Sequence, residues 1–373
     1  MTRHHDYIWR TVTTSSSLGL VDLAGARGGF LRRREHSYLE HRADTFVPPG
    51  LIRDLGLRQG DEIWGEVTPA RKQGQGPALS TVTRVNGVEP AALRSRPEFT
   101  RLRAIQPRER LTLTVAGARE PSAAIQRVID LLCPFGKGQR ALIVAPAKAG
   151  KTTVLLAVAE GVARNHPDAE LYILLADERP EEVTEMESAG LGEVVASSFD
   201  FPPERHVAVA EMLLERARRH VEQGEDVVLI LDSLTRLSRA YNAVQKGNSR
   251  TLSGGLGAEA LERPKRFFGS ARAVDPAQSG GSLTIVATAL VDTGSRMDQV
   301  IFEEFKGTGN SELVLSRDLA ERRIWPAIDL PASATRREEL LLSPEELARA
   351  TALRQQVGRM PPVDAMRVVA GNL

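Results

Sequence analysis

The chain has 373 residues, of which 42% are hydrophobic and 26% are charged, and its formal net charge is +1. It has no run of about 18 uncharged apolar residues and no apolar core after its polar start, which argues against a membrane helix and a signal peptide, and its single Cys133 cannot form an internal disulfide. We therefore predict a cytoplasmic protein of two or three domains with no membrane partner.

The first 89 residues divide into a tail and a β-rich segment. Residues 1–17 are polar and lack periodicity, which predicts a flexible tail. In residues 18–89, short apolar runs alternate with Gly, Pro and Asp, which predicts short strands in a small all-β barrel or sandwich.

One predicted strand of this segment combines an aromatic residue with arginines, in the sequence GGFLRRR. Single-stranded nucleic-acid binders stack bases on such rings and hold the backbone with basic side chains. Phe30, Phe46 and Arg32 are therefore the candidate RNA-binding residues, although a phenylalanine in a strand is more often part of the core. Residues 1–120 hold 19 Lys and Arg against 13 Asp and Glu, an excess that suits a polyanion but is also typical of a solvated surface.

Residues 90–120 contain six arginines from Arg94 to Arg110, with Pro97 and Pro107 among them, and few apolar residues. This composition predicts a connector between two domains. Its charge would help to steer a polyanion, but a plain solvated linker is the simpler interpretation.

From residue 121 to residue 373, apolar strands alternate with helices, which predicts an α/β domain with a parallel sheet covered on both faces. Its most informative stretch is APAKAGKTT, which lies between an apolar strand and a helix. A loop that ends in Gly-Lys-Thr at a helix N-terminus cradles phosphates with backbone N–H groups, while the lysine reaches the outer phosphates and the hydroxyl ligates Mg²⁺. The candidate nucleotide-binding residues are Pro146, Ala147, Lys148, Ala149, Gly150, Lys151, Thr152 and Thr153.

Two other predicted strands end in acidic residues. One runs into Asp177-Glu178-Arg179, and the other ends at Asp232. Because ligands bind at the carboxyl ends of strands in an open α/β sheet, Lys151, Glu178 and Asp232 should converge on one crevice. There Asp232 would hold Mg²⁺, Glu178 would orient or deprotonate the attacking water, and Arg179 would meet the γ-phosphate.

Later loops and arginines complete the set of candidates. The loops of residues 245–255 and 293–297 are rich in Gly and Ser and carry basic residues, which indicates functional loops. Arg323 and Arg336 have no local helical charge partner. Phosphoryl transfer benefits from an arginine that a neighbouring subunit often supplies, although each residue taken alone is ordinarily a solvated charge.

Residues 127 to about 355 closely resemble the family of transcription-termination factor Rho. Members of this family are ring-shaped RNA-dependent ATPases and helicases. The strings that carry the resemblance include APAKAGKTT, LLADERPEEVTEM, LDSLTRLSRAYN, FEEFKGTGN and TRREELL. The resemblance implies a RecA-like P-loop core in a homohexameric ring, with ATP sites between subunits and RNA in the centre.

The resemblance also implies roles for individual residues by matching position. Lys148, Lys151 and Thr152 would bind phosphates and magnesium, and Trp325 would stack on adenine. Arg336 would be the arginine donated in trans. The implied catalytic residues are Glu178, Arg179, Asp232, Arg236, Arg323 and Arg336, and the implied RNA-gripping loop residues are Arg250, Thr293 and Arg296.

The N-terminal segment is similar in outline to the family's OB or cold-shock-like RNA-binding barrel, through GGFLRRR, SYLEHRADTFVPP and GLRQGDEIWGEV. Gly28 stands where the family has an aromatic residue, and so the chain should have lost a stacking platform. Arg250 and Arg296 stand where the family commonly has lysine, which changes how phosphate is held. We therefore expect a divergent or shortened member of the family.

With the phosphate-loop motifs, the resemblance implies an enzyme that uses ATP and Mg²⁺ to move 5′ to 3′ on single-stranded RNA and to terminate transcription, with RNA polymerase as a further partner. Two alternatives stay open at this stage. One is a paralogue that hydrolyses ATP without terminating transcription, and the other is a regulatory RNA-binding subunit without motor activity. The presence of Glu178 argues against a subunit without enzymatic activity.

Overall fold

The computed structural model describes residues 19–69, 76–245, 255, 257 and 260–371. The chain divides into two compact units, residues 1–95 and 96–373. The predicted tail of residues 1–17 lies outside the described ranges. The predicted connector is divided between the units, because residues 90–95 belong to the first and residues 96–120 to the second.

The first unit is a closed five-stranded barrel in the order β1-β2-β3-β5-β4. Its elements are β1 (Gly19–Leu23), β2 (Gly29–Arg32), β3 (Thr45–Val47), α1 (Pro49–Leu55), β4 (Glu62–Thr68) and β5 (Ala78–Val85). Strand β1 pairs with both β2 and β4, which closes the barrel. Val21, Leu31 and Ile63 are buried in its core because alternate residues of a strand face inward. The predicted small OB-like barrel is thus confirmed.

The second unit is built around a nine-stranded sheet whose main path is β14-β13-β7-β12-β10-β8-β9, with β6 and β11 attached to its side. Its elements are β6 (Ala104–Ile105), α2 (Ser122–Leu132), β7 (Arg140–Pro146), α3 (Lys151–Asn165), β8 (Glu170–Glu178), α4 (Pro180–Ala189), β9 (Glu193–Ser198), α5 (Pro203–Glu222), β10 (Asp226–Asp232), α6 (Leu234–Val244), α7 (Glu262–Phe268), β11 (Arg272–Val274), β12 (Ser282–Val291), α8 (Arg296–Lys306), β13 (Ser311–Val314), α9 (Arg317–Glu321), β14 (Ala334–Thr335), α10 (Pro344–Val357) and α11 (Pro362–Ala370).

Strands β13, β7, β12, β10, β8 and β9 run parallel to one another. Successive residues of β10, Val227 to Asp232, are all buried, which means that both faces of the sheet are covered. The predicted doubly covered parallel sheet is confirmed. Within the described ranges, every helix is too short or too polar to span a lipid bilayer.

The parallel strands bring the ends of β7, β8 and β10 to the carboxyl-terminal side of the sheet. Asp232 at the end of β10 is level with Leu175 of β8, and Pro146 at the end of β7 is level with Val291 of β12. The loop between β7 and α3 and the acidic ends of β8 and β10 therefore lie side by side.

Candidate active site

The loop between β7 and α3 is a tight turn that only certain residues can form. Lys148 and Gly150 have positive φ values of 63° and 86°, and helix α3 begins immediately afterwards at Lys151. A Cβ atom added to Gly150 would lie 2.5 Å from Cζ3 of Trp325, so the indole ring packs directly on the loop. The first N–H groups of α3 have no partner within the helix and can bind an anion.

Lys151 lies at the centre of a group of carboxylates. Its Nζ atom is 2.6 Å from Asp232 Oδ2, 3.1 Å from Glu178 Oε1 and 3.6 Å from Glu182 Oε2. Burial opposes the charge on the ammonium group, but the neighbouring carboxylates of Asp232 and Glu178 outweigh it and raise the pKa of Lys151. The structure thus brings together the three residues that the sequence predicts to converge.

Glu178 owes its position to an irregularity in β8. The pairing of β8 with β9 shifts register between Ala176 and Glu178, and Asp177 between them has a positive φ of 60°. A bulge of this kind redirects the side chain that follows it. Glu178 is fully buried, and among the described residues its Oε2 atom has no hydrogen-bond partner.

Burial raises the pKa of Glu178 to about 7, and the nearby negative charge of Asp232 acts in the same direction. The positive charges of Lys151 and Arg236 oppose this increase without cancelling it. A carboxylate with such a pKa is a stronger base than an ordinary glutamate and gains or loses its proton close to neutral pH.

Arg236 connects Glu178 to the backbone beside it. Its Nε atom is 3.4 Å from Glu178 Oε1, and its Nη1 atom donates to the Asp177 carbonyl oxygen. It is carried by the first turn of α6, where the Ser233 side chain accepts a hydrogen bond from the Arg236 N–H. Arg179, by contrast, is exposed just before α4 begins.

The carboxylates are suited to a divalent cation. Oxygen atoms of Glu178, Glu182 and Asp232 lie within 4.8 Å of one another, and oxygen ligands are those that Mg²⁺ prefers. The Oε2 atom of Glu178, which has no hydrogen-bond partner among the described residues, fits the role of a ligand to such a cation. Thr152, the second residue of α3, is half-buried. Sequence reasoning missed Glu182, although its spacing of four residues from Glu178 was visible.

Sequence reasoning also missed the buried imidazole of His206, which lies near Asp177. The Nδ1 atom of His206 is 2.7 Å from Ser197 Oγ, and its Nε2 atom is 4.0 Å from Asp177 Oδ1. Burial lowers the pKa of His206 despite the nearby Asp177 carboxylate. The imidazole therefore lies beside Asp177, the residue at the bulge. No sequence motif joins Ser197 to His206, because their contact depends on how α5 packs.

The structure does not bring Arg336 to this site within one chain. Thr335 pairs with Ser311, and Ser311 pairs with Ala141 near the start of β7, whereas the phosphate loop follows Pro146 at its end. Five residues at about 3.3 Å each separate the two levels by about 17 Å. Arg323 is exposed, with a positive φ of 59°, two residues from Trp325.

The RNA candidates of the second unit lie at the start of α8, with Thr293 on the preceding loop and Arg296 as the first residue of the helix. Thr293 and Arg296 are exposed, and the Thr293 hydroxyl donates to Asp298 Oδ2 at 2.6 Å. The same Asp298 carboxylate accepts from Arg239 Nε of α6 at 2.7 Å. Arg250, the other loop candidate, lies outside the described residues.

The barrel candidates differ in how available they are. Phe30 and Phe46 are half-buried and form an edge-to-face pair with centroids 5.7 Å apart. Arg32 is only 8% exposed, because Asp22 and Asp44 hold its guanidinium group at 2.6 and 2.7 Å. Its charge is thus already neutralised within the barrel, which makes it a poor partner for a phosphate. A role in RNA binding stays a prediction for all three residues.

Comparison with known proteins places both units in described families. The model of the ATP synthase alpha/beta family, nucleotide-binding domain, matches residues 126–335. The model of the Rho termination factor, RNA-binding domain, matches residues 18–91. A solved ATPase from the type III secretion system of pathogenic bacteria has a TM-score of 0.61 and 25% sequence identity, covering 77% of each chain. The predicted RecA-like P-loop core is thus confirmed.

Full-length sequences agree with these domain matches. Transcription termination factor Rho of Gemmatimonas aurantiaca is 57% identical over 340 residues, which are 91% of this chain and 46% of that protein. The Rho factors of Haemophilus influenzae and Escherichia coli K12 are 51% and 50% identical over 356 residues, which are 95% of this chain and 84% of each relative. This chain therefore spans about half of the Gemmatimonas protein and most of the other two. The chain belongs to the transcription termination factor Rho family.

Proposed function

We propose that this chain is an RNA-stimulated ATPase that moves 5′ to 3′ along single-stranded RNA, unwinds RNA–DNA hybrids and terminates transcription. The observation that carries the proposal is the group behind the phosphate loop, where Lys151 lies between the buried carboxylates of Glu178 and Asp232. The relatives are transcription termination factors, and from them we infer that the process is termination of transcription.

ATP and Mg²⁺ are the proposed cofactors. The phosphates of ATP compete with the carboxylates for Lys151, so that the lysine turns to the outer phosphates when the nucleotide binds. Thr152 and Asp232 would hold magnesium, which would supply positive charge to those phosphates. Once Lys151 has turned away, Glu178 can orient a water molecule and accept its proton.

The position of Arg336 supports a ring of identical subunits if this residue acts on ATP. At about 17 Å from the level of its own phosphate loop, measured along β7, Arg336 is too distant to stabilise charge on its own nucleotide. A head-to-tail contact between subunits would bring it to a neighbour's site, and contacts of this kind close into rings. We take the ring to be a hexamer by membership of the family.

Coupling to RNA has a physical route through α6. Arg239 on this helix holds Asp298, which also accepts from the loop residue Thr293. One turn earlier on the same helix, Arg236 touches Glu178. A strand of RNA that displaces the Thr293–Arg296 loop would therefore change the surroundings of the catalytic carboxylate through one rigid helix.

A second candidate function is an RNA-binding ATPase that does not terminate transcription. It is favoured by Gly28, where an added Cβ would lie 2.6 Å from the Val47 carbonyl oxygen and 3.0 Å from the Phe46 ring. No aromatic residue fits there, so the barrel lacks one stacking platform. A non-enzymatic subunit is disfavoured by the complete set of Lys151, Glu178 and Asp232.

ATP hydrolysis with and without a pyrimidine-rich RNA is the first test. Hydrolysis should rise with RNA and should be abolished by Lys151→Ala but not by the exposed control Lys306→Ala. A near-normal kcat for Lys151→Ala would refute the assignment of the phosphate loop. Hydrolysis that RNA does not stimulate would favour the second candidate function.

Unwinding is the second test. An RNA–DNA hybrid with a 5′ single-stranded RNA tail should be separated in the presence of ATP, whereas a hybrid with only a 3′ tail should not. Release of transcripts from stalled RNA polymerase complexes would show that the chain also terminates transcription, the activity proposed for it in the cytoplasm. Hybrid unwinding without transcript release would again favour the second candidate.

A further inference from the structure

Two histidines of the barrel stack on one another. His36 ends the short 3₁₀ turn Arg34–His36 after β2, and His41 lies in the segment that leads to β3. Their ring centroids are 4.0 Å apart with an angle of 30° between the planes, and both residues are half-buried. We call His36 and His41 the histidine pair. Nothing in the proposed function uses it so far.

The histidine pair is tied to the two phenylalanines by direct contacts. Asp44 Oδ2 accepts hydrogen bonds from Arg32 Nη1 at 2.7 Å and from the His41 backbone N–H at 2.8 Å. The Arg32 guanidinium in turn lies over the Phe30 ring, 5.3 Å from its centroid. Phe30 then contacts Phe46. The two ring pairs are therefore linked through the Arg32–Asp44 ion pair within one barrel.

A hydrogen bond from the backbone of Ala43 fixes the orientation of the His41 ring. Its Nδ1 atom accepts the Ala43 N–H at 3.2 Å, so a neutral ring carries its proton on Nε2. The ring thus combines a flat face with a donor held in one direction. Within the described ranges, no group of three metal-ligating side chains includes either imidazole, which disfavours a metal site.

We propose that the histidine pair is an additional base-stacking platform for single-stranded RNA. The proposal rests on the RNA-binding function proposed above and adds a site to it. An unpaired nucleobase is the ligand that suits a stacked, half-buried pair of rings, since every base has a face that stacks on aromatic rings. Arg33 and Arg34 lie three and two residues before His36, with Glu35 between Arg34 and His36, and the two arginines supply positive charge for a phosphodiester backbone. The new platform offsets the one that Gly28 cannot provide.

Equilibrium binding of a short fluorescent pyrimidine RNA to the full chain tests the proposal. The double variant His36→Ala/His41→Ala should bind about fivefold more weakly, the low end of the effect of losing one stacked base. His36→Gln/His41→Gln, which keeps polar side chains but no rings, should lose as much. His36→Phe/His41→Phe should retain the affinity because its rings still stack.

The controls separate this proposal from the function on which it rests. Unchanged affinity of the Ala variant, with weaker binding by Phe30→Ala/Phe46→Ala, would overturn the histidine platform alone. A Phe variant as weak as the Ala variant would overturn stacking as the mode of contact. Failure of the unaltered chain to bind RNA would overturn the proposed function itself.

A second measurement does not depend on folding of the variants. RNA containing 4-thiouridine should crosslink, in the unaltered chain, to the segment of residues 33–46. Crosslinks confined to the loops of the second unit would overturn the platform even if the Ala variant were unstable.

Discussion

Exchange of Arg336 between subunits can be tested by mixing two inactive variants. Arg336→Ala should lose about 10³-fold in ATP hydrolysis while it still binds nucleotide, because the arginine acts on the transition state. Lys151→Ala should be inactive for a different reason, the loss of contact with the phosphates. Neither variant forms an active site in a ring made of itself alone.

In rings that contain both variants in equal amounts, an active site needs a subunit with Lys151 beside a neighbour with Arg336. With random assembly, half of the sites have the first feature and half of those have the second, so about one quarter of the sites regain activity. An arginine that acted on its own chain would give no recovery, because every chain would lack one of the two residues. The 17 Å estimate along β7 therefore leads to an all-or-none difference between the two arrangements.

The assay requires co-assembled rings. The two variants would be co-expressed with different affinity tags and purified over both tags, and ATP turnover would be measured with RNA present. Separately assembled rings that are combined without subunit exchange serve as the control and should show no recovery. The exposed Arg322→Ala, which removes an ordinary helical ion pair with Asp318, should stay active by itself. Recovery no greater than that control would refute the action in trans.

Three further predictions concern the interior of the site. Burial raises the pKa of Glu178 to about 7. Between about pH 4.5 and 7 the folded chain therefore holds a proton that the unfolded chain has released. The free energy of unfolding falls as the pH rises through this window. Glu178→Gln should therefore raise the Tm relative to the unaltered chain more at about pH 8 than at about pH 5, and an equal difference at both would contradict the pKa. Gly150→Ala should cost about 1–3 kcal/mol of stability and weaken ATP binding, since the φ of Gly150 is positive and an added Cβ would meet Trp325. Trp325→Ala added to it should restore only part of the lost stability in a thermal melt without nucleotide, and full restoration would mean that the backbone is not strained. His206→Asn should lower kcat about tenfold with little change in KM, because Asp177 and the carboxylate after it lose their support, and a KM effect alone would contradict a positioning role.

Local patterns were sufficient to predict most of the fold. The phosphate loop, the acidic strand ends and the alternation of strands with helices are each written in consecutive residues, and their convergence follows from a general rule on parallel sheets. The barrel was predicted in the same way, from short runs bounded by turn residues.

Contacts between distant residues could not be predicted. Arg32 is neutralised by Asp22 and Asp44, which reach it only through the pairing of β1, β2 and β3. The stacking of His36 on His41 likewise depends on the path of the chain between β2 and β3. In both cases the residue types were visible, but their distance and orientation were not, because strand register sets them for Arg32 and the path of the connecting segment sets them for the two histidines.

Under the proposed mechanism, two features of a single subunit would restrict hydrolysis until assembly and substrates are in place. Lys151 is paired with Glu178 and Asp232, so it would have to leave these carboxylates and turn to the phosphates of ATP before Glu178 could activate water. Arg336 lies near the start of β7, about 17 Å along this strand from the phosphate loop, so a neighbouring subunit would have to supply its charge to a bound nucleotide. If ATP relieves the first restraint and a neighbouring subunit relieves the second, a solitary subunit should turn over ATP slowly even at saturating nucleotide. The α6 contact between Arg236 and Glu178 would add a third dependence, on the Thr293–Arg296 segment, because Arg239 on the same helix holds Asp298 and Asp298 accepts from Thr293. In the proposed ring, an RNA strand that moved this segment would reach Glu178 through α6.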